Sequence, residues 1–117
     1  MKLHTKSRDG LYEANAIFEN NVVVVLKGSR INARNSKGYK PSEKIASIRS
    51  DSDIVDSQGY LLKDVAFETL STAATFVTGR TANGMIVWKT EDGKYVRFSI
   101  KNGNWYGTRI FYSKTRS

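Results

Sequence analysis

Lys27, Ser29, Arg30, Arg34, Lys37 and Lys40 crowd one stretch of the chain, and Arg80, Thr81, Asn83, Trp88 and Lys89 crowd a second. These are residue types that engage nucleic acid. Lys and Arg neutralise phosphates, Ser29 and Thr81 offer hydroxyl donors to phosphate oxygens, and a carboxamide such as Asn83 can read a base edge. Each has a plain alternative. Asn83-Gly84 is also the dipeptide favoured where two residues must turn left-handed. Trp88 beside Ile86 suits a strand facing the core as well as a platform for an extruded base. Arg80, directly after Gly79, could grip phosphate bidentately or tie down the last carbonyls of a helix. Farther on, Trp105, Tyr106, Phe111 and Tyr112 interleave with Arg109, Lys114 and Arg116, the composition of a stacking surface or of an edge strand closing the core.

The charge balance points the same way. Nineteen Lys and Arg stand against eleven Asp and Glu, a formal charge of +8, which favours polyanionic partners through long-range attraction and counterion release. Seven cations lie between Lys27 and Arg49 against the single acid Glu43, and six more follow Asp92 with no acid among them. A solvated surface that keeps the protein soluble is the competing reading. Little in the composition suggests catalysis. The chain has no cysteine, which removes disulfides and thiol chemistry. His4 is the only histidine, which leaves no multi-His zinc site within the chain, and its place at the N-terminus makes a His-based triad unexpected. Asp51, Asp53 and Asp56 lie close enough for a carboxylate metal site, but a solvated helix end and turn is the simpler expectation. Gly28-Ser29 lacks the Gly-x-x-x-x-Gly-Lys-Ser/Thr arrangement of a phosphate loop, and no cofactor is expected. The N-terminal residues lack the apolar core of a signal peptide, and the apolar run at 22–26 is too short to span a bilayer. A soluble, cytoplasmic protein without a membrane partner is expected.

These groups must be positioned by short elements. The pattern predicts a single compact α+β domain of antiparallel strands in hairpins and a meander with two helices: an N-terminal extension at 1–10, the domain at 11–112 and a basic tail at 113–117. Residues 11–18 and 22–27 read as a hairpin turning at Glu19-Asn20-Asn21, the second strand marked by its run of valines. Gly28-Ser29 breaks that strand, and residues 30–40 form a basic surface loop. A first helix begins near Pro41, with Ile45, Ile48 and Ile54 turned inward. Residues 60–67 suggest a strand with Leu62, Val65 and Phe67 as core contacts. Thr69 caps a second helix whose apolar face is Ala73, Ala74, Phe76 and Val77, and Gly79 ends it with positive φ. Asn83-Gly84 then turns into a strand at 85–90, Glu91-Asp92-Gly93-Lys94 into one at 95–100, and residues 101–104 into a last one at 105–112.

Val25-Leu26-Lys27-Gly28-Ser29-Arg30, Phe67-x-Thr-x-Ser-x-Ala-Ala74, Gly79-Arg80, Ala82-Asn83-Gly84 and Trp88-Lys89 occur in that order. Over roughly residues 11–100 the chain resembles a small bacterial domain of unknown function that is attached to GIY-YIG-type nucleases, methyltransferases and other restriction-modification proteins. It is also similar to the restriction-system adenine-methylase-associated domains. One departure is Leu70, where relatives carry the proline of Ser-Pro-Ser. The resemblance implies no catalytic residues; it implies a non-catalytic accessory module that engages DNA beside a nuclease or methyltransferase partner. A protein-interaction or dimerisation module of such a system is the alternative. Gly10-Leu11-Tyr12 matches half of a GIY-YIG signature, but the valine run stands where its Tyr-x-Gly partner is expected, so no nuclease site is expected here.

Overall fold

The computed structural model describes residues 1–35, 38–96, 100–101 and 104–105, the last two pairs by backbone alone. Five antiparallel strands form the main sheet: β1 (Lys2–Lys6), β2 (Glu13–Glu19), β3 (Val22–Val25), β4 (Val65–Phe67) and β5 (Lys89–Thr90), in the spatial order β4-β3-β2-β1-β5. Among the described residues three helices accompany them: α1 (Glu43–Arg49), α2 (Leu70–Thr78) and the single turn α3 (Gly84–Val87). A separate two-stranded ladder pairs β6 (Ile100–Lys101) with β7 (Asn104–Trp105). The α+β class expected from the sequence is the class observed.

Side chains alternate across the sheet because the strand period is two. Leu3, Ala14, Ala16, Phe18, Val23, Val25, Val65 and Phe67 point to the packed face and are buried. Lys2, His4, Glu13, Asn15, Ile17 and Val24 point the other way, onto a face that stays at least partly exposed. The β2–β3 hairpin turns through Asn20 and Asn21, at φ 52° and 62°. Two consecutive positive φ values match the twist of the flanking strands, and Asn tolerates that conformation better than other side chains.

The second helix lies in the core. Thr69 Oγ1 accepts the Thr72 N–H at 3.0 Å, and Gly79 closes the helix at φ 77°. Both caps are as the sequence predicts. Burial runs unbroken from Ala73 to Gly79, so α2 is enclosed on all sides over its second half. Its end therefore needs protein partners for its last carbonyls. The Asn32 N–H donates to the Val77 carbonyl at 2.8 Å, Asn32 Nδ2 donates to that of Thr78 at 3.2 Å, and the Arg49 guanidinium donates to the carbonyls of Phe76 and Asn32. The loop carrying Asn32 passes so closely that a Cβ on Gly79 would meet the Arg34 carbonyl oxygen at 2.4 Å.

Four local expectations are corrected. Residues 2–6 are an interior strand of the sheet rather than part of an extension, and His4 pairs in register with Asn15 and Lys89. Residues 60–67 do not run as one strand: isolated bridges at Tyr60 and Leu61 precede β4, and this shift of phase buries Leu61 while leaving Leu62 43% exposed. Asn83-Gly84 is a helix start, since Asn83 keeps negative φ and its Oδ1 accepts the Met85 N–H at 2.9 Å. Residues 84–87 are accordingly helical, and the strand expected at 85–90 shrinks to β5. The turn at Glu91-Asp92-Gly93-Lys94 forms as expected, with Gly93 at φ 81° and the Thr90 N–H donating to the Lys94 carbonyl at 2.8 Å.

Candidate nucleic-acid interface

Two neighbouring clefts open where the β1–β2 connection meets the segment after β3 and the C-terminal end of α2. The first, of about 280 Å³, is lined by Lys6, Glu13, Asn15, Arg30 and Tyr60 together with Gly10, Tyr12 and Gly28. The second, of about 430 Å³, is lined by Arg8, Asp9, Asn32, Thr78 and Arg80 among others, and again by Lys6 and Tyr12. Lys6 and Tyr12 are thus the wall that the clefts share. Four cations, Lys6, Arg8, Arg30 and Arg80, face two acids, Asp9 and Glu13.

Local chemistry places each group. Ser7 and Tyr12 close the β1–β2 connection: the Ser7 N–H donates to the Tyr12 carbonyl at 3.0 Å, and the Tyr12 N–H donates to Ser7 Oγ at 3.1 Å. That clamp fixes Tyr12 beside the core, against which its half-buried ring packs. Arg30 rejoins β2 after the Gly28 excursion, exchanging backbone hydrogen bonds with Glu13 at 2.8 and 2.9 Å. Its guanidinium lies over the Tyr60 ring, 5.6 Å from the centroid, and donates to the carbonyls of Gly10 and Gln58 at 3.3 and 3.4 Å. Arg80 follows the left-handed Gly79 and is exposed. Thr78 Oγ1 donates to the Ala74 carbonyl at 2.8 Å and reaches that of Arg80 at 3.2 Å, which ties the start of this exit to the helix.

Of the residues singled out in the sequence, the fold brings Arg30 and Arg80 to these clefts. Lys27 is exposed beside Gly28, its backbone N–H held by Asp64 Oδ1 at 2.7 Å. Arg34 and Lys40 are exposed on the loop leading to α1, Thr81 is exposed beside Arg80, and Lys89 sits over the Tyr95 ring, 5.0 Å from its centroid. Lys37 and Arg109, like Tyr106, Phe111 and Tyr112, lie outside the described residues.

Three of the candidates are structural. Trp88 is 0% exposed and donates its indole N–H to the Leu70 carbonyl at 3.1 Å, so it is a core side chain and presents no stacking surface. Ser29 is buried, and its Oγ accepts the Asn15 N–H at 3.0 Å and reaches back to the Asn15 carbonyl, repairing the ladder where β3 leaves β2. The Asn83 side chain caps α3. Lys6, Arg8 and Tyr60 are not among the residues the sequence singles out, and Tyr12 enters only through Gly10-Leu11-Tyr12, not as a binding residue. The cationic Lys6-Ser7-Arg8 stretch was the available signal, but it lay in a segment read as an extension.

The clustered carboxylates have backbone partners. Asp51 Oδ1 accepts the Asp53 N–H at 2.9 Å, and Asp56 Oδ1 accepts those of Gln58 and Tyr60, each at 2.9 Å. Among the described residues no group of three or more His, Cys, Asp or Glu is arranged to hold a metal ion. No helix among them is long and apolar enough to cross a membrane.

A family model, that of a domain of unknown function (DUF4357), matches residues 3–99. The chain belongs to the DUF4357 family. The match spans both clefts and the α2–α3 unit and all but the first residue of β1. No curated protein and no solved structure matches this DUF4357 chain.

Proposed function

We propose that this DUF4357 domain is a non-catalytic DNA-binding accessory module that serves a nuclease or methyltransferase of a restriction-modification or related DNA-processing system. The observation that carries the reading is the convergence of Lys6, Arg8, Arg30 and Arg80 on paired clefts that share Tyr12. Cations held around an aromatic ring are the elements that bind a phosphate backbone and its bases, and the +8 charge supplies long-range attraction. The restriction-system assignment rests on the resemblance of the motif series from Val25 to Lys89.

Anisotropy titration of labelled duplex, single-stranded and adenine-methylated DNA at two salt concentrations tests the reading. Saturable binding that weakens steeply with salt is expected, because each phosphate contact releases counterions. The paired substitution Arg8→Ser with Arg80→Ser should lower both the affinity and the salt slope while leaving the thermal melt unchanged. Absence of binding at low salt would refute the proposal. The protein-interaction reading draws on a different feature: Ile17, Val24 and Ala66 lie in register on the open sheet face, beside Val22 at 40% exposure. A partner bound without salt dependence, and lost on charging Val24, would favour that reading instead.

A further inference from the structure

We infer that the paired clefts take single-stranded DNA, with one nucleotide on each side of Tyr12; this deepens the DNA-binding reading and rests on it. Duplex readers place a helix or a two-stranded ribbon in the major groove. Here α2 is buried through most of its length and carries no charged residue. Helix α3 is a single turn, and α1 exposes Glu43 with one cation, Lys44, which sits over the Phe67 ring 5.5 Å from its centroid. Its other cation, Arg49, is spent on the carbonyls of Phe76 and Asn32. The β2–β3 ribbon ends in Glu19-Asn20-Asn21 and offers a phosphate no cation.

Among the residues whose side chains are described, which do not include those of the β6–β7 ribbon, Lys6, Arg8, Arg30 and Arg80 gather at concave clefts instead. Clefts of about 280 and 430 Å³ lie near the small end of ligand sites and match single nucleotides rather than a base-paired cylinder. They adjoin across a tyrosine and a lysine, so that an aromatic ring and cations line both, the pairing used by proteins that stack successive bases over a charged groove. Lys6 at the shared wall is placed for the phosphate between the two nucleotides. Arg8 and Arg80 serve the flanking phosphate of the larger cleft, and Asn15 in the smaller one is the candidate base-edge contact.

The test uses the full chain with short labelled oligothymidine and a duplex of equal length, at low salt. The variants are Tyr12→Leu, which keeps apolar bulk against the core, and Tyr60→Leu at a 41% exposed position. Expected are tighter binding of the single strand than of the duplex, and a loss of roughly five- to 150-fold on the single strand for Tyr12→Leu. The loss on the duplex, whose bases stay stacked, should be markedly smaller. Because Tyr12 touches the core, photo-crosslinking of iodouracil-substituted oligonucleotide to the unaltered protein provides a second readout, with the adduct expected on Tyr12 or Tyr60. Equal or tighter duplex binding, or an adduct elsewhere, would overturn the single-strand inference and leave the DNA-binding reading standing. Binding of neither form would overturn both.

Discussion

Gly84→Ala is expected to be among the most damaging single-methyl additions in this domain. Gly84 is buried against the first turn of α2, and a Cβ built there would lie 2.3 Å from the Leu70 carbonyl carbon, 2.5 Å from its oxygen and 2.6 Å from its Cβ. Two of those atoms are backbone at the capped start of a buried helix, so α3 has to give way. Restoring a tight but tolerable separation of 3.4 Å to the carbonyl carbon needs a retreat of roughly 1.1 Å. Trp88 follows in the same turn, its N–H donating to the Gly84 carbonyl at 3.2 Å, and its indole N–H bonds Leu70 at 3.1 Å. A retreat of that size breaks the indole bond and the one from the Gly84 N–H to Ser71 Oγ at 3.0 Å. Overpacking costs about 1–3 kcal/mol and a broken buried hydrogen bond about 1–3 kcal/mol. The better helix propensity of Ala returns at most about 1 kcal/mol. With both bonds lost, a net loss of about 5 kcal/mol follows, a fall of roughly 20 °C in Tm for a chain of this size. Urea titration monitored by circular dichroism measures it directly, and a variant as stable as the parent would refute the packing of α3 on α2 described above.

Two further substitutions probe the frame that holds the clefts. Asn21→Gly should raise stability by about 0.5–1 kcal/mol and Asn21→Ala should lower it by about 1 kcal/mol, because the residue sits at φ 62°; equal urea midpoints for the two variants would exclude a left-handed turn there. Arg49→Met, which keeps the apolar stem but leaves the carbonyls of Phe76 and Asn32 without their charged donor, should cost about 2–4 kcal/mol; a loss below about 0.5 kcal/mol would show that water satisfies the end of α2 equally well.

What the sequence disclosed and what it concealed divide by the range of the forces involved. Thr69 and Gly79 were legible because a cap is a contract among residues three or four positions apart. The hairpin at Asn20-Asn21 was legible for the same reason. Strand β1 was not: Lys2, His4 and Lys6 alternate with only Leu3 and Thr5, and its second neighbour, β5, lies more than eighty residues away. Asn83-Gly84 misled because the dipeptide satisfies a left-handed turn or a helix start equally well; the close approach to the Leu70 backbone decides between them. At the candidate site, the cations Arg30 and Arg80 were visible as types. Their convergence with Lys6 and Tyr12 was not, since it depends on β1 taking an interior place in the sheet beside the end of α2.

The formal charge of +8 overstates what is free to meet a polyanion. Arg49 is committed to the end of α2; burial lowers its pKa from the ordinary arginine value, with Tyr39 acting in the opposite sense. Arg30 is partly committed: its guanidinium joins Gly10, Gln58 and Tyr60, and so ties the β1–β2 connection to the segment after Asp56. A phosphate drawing on Arg30 must either use its remaining donor capacity or compete with those carbonyls, whereas Lys6, Arg8 and Arg80 line the clefts with no such tie to another of the described residues. On the proposed DNA-binding reading, Arg30 therefore shapes the first cleft and the other three cations are the ones expected to set the affinity. Replacing Arg30 would loosen the site before it changed its charge, which is why Arg8 and Arg80 are the better probes of binding.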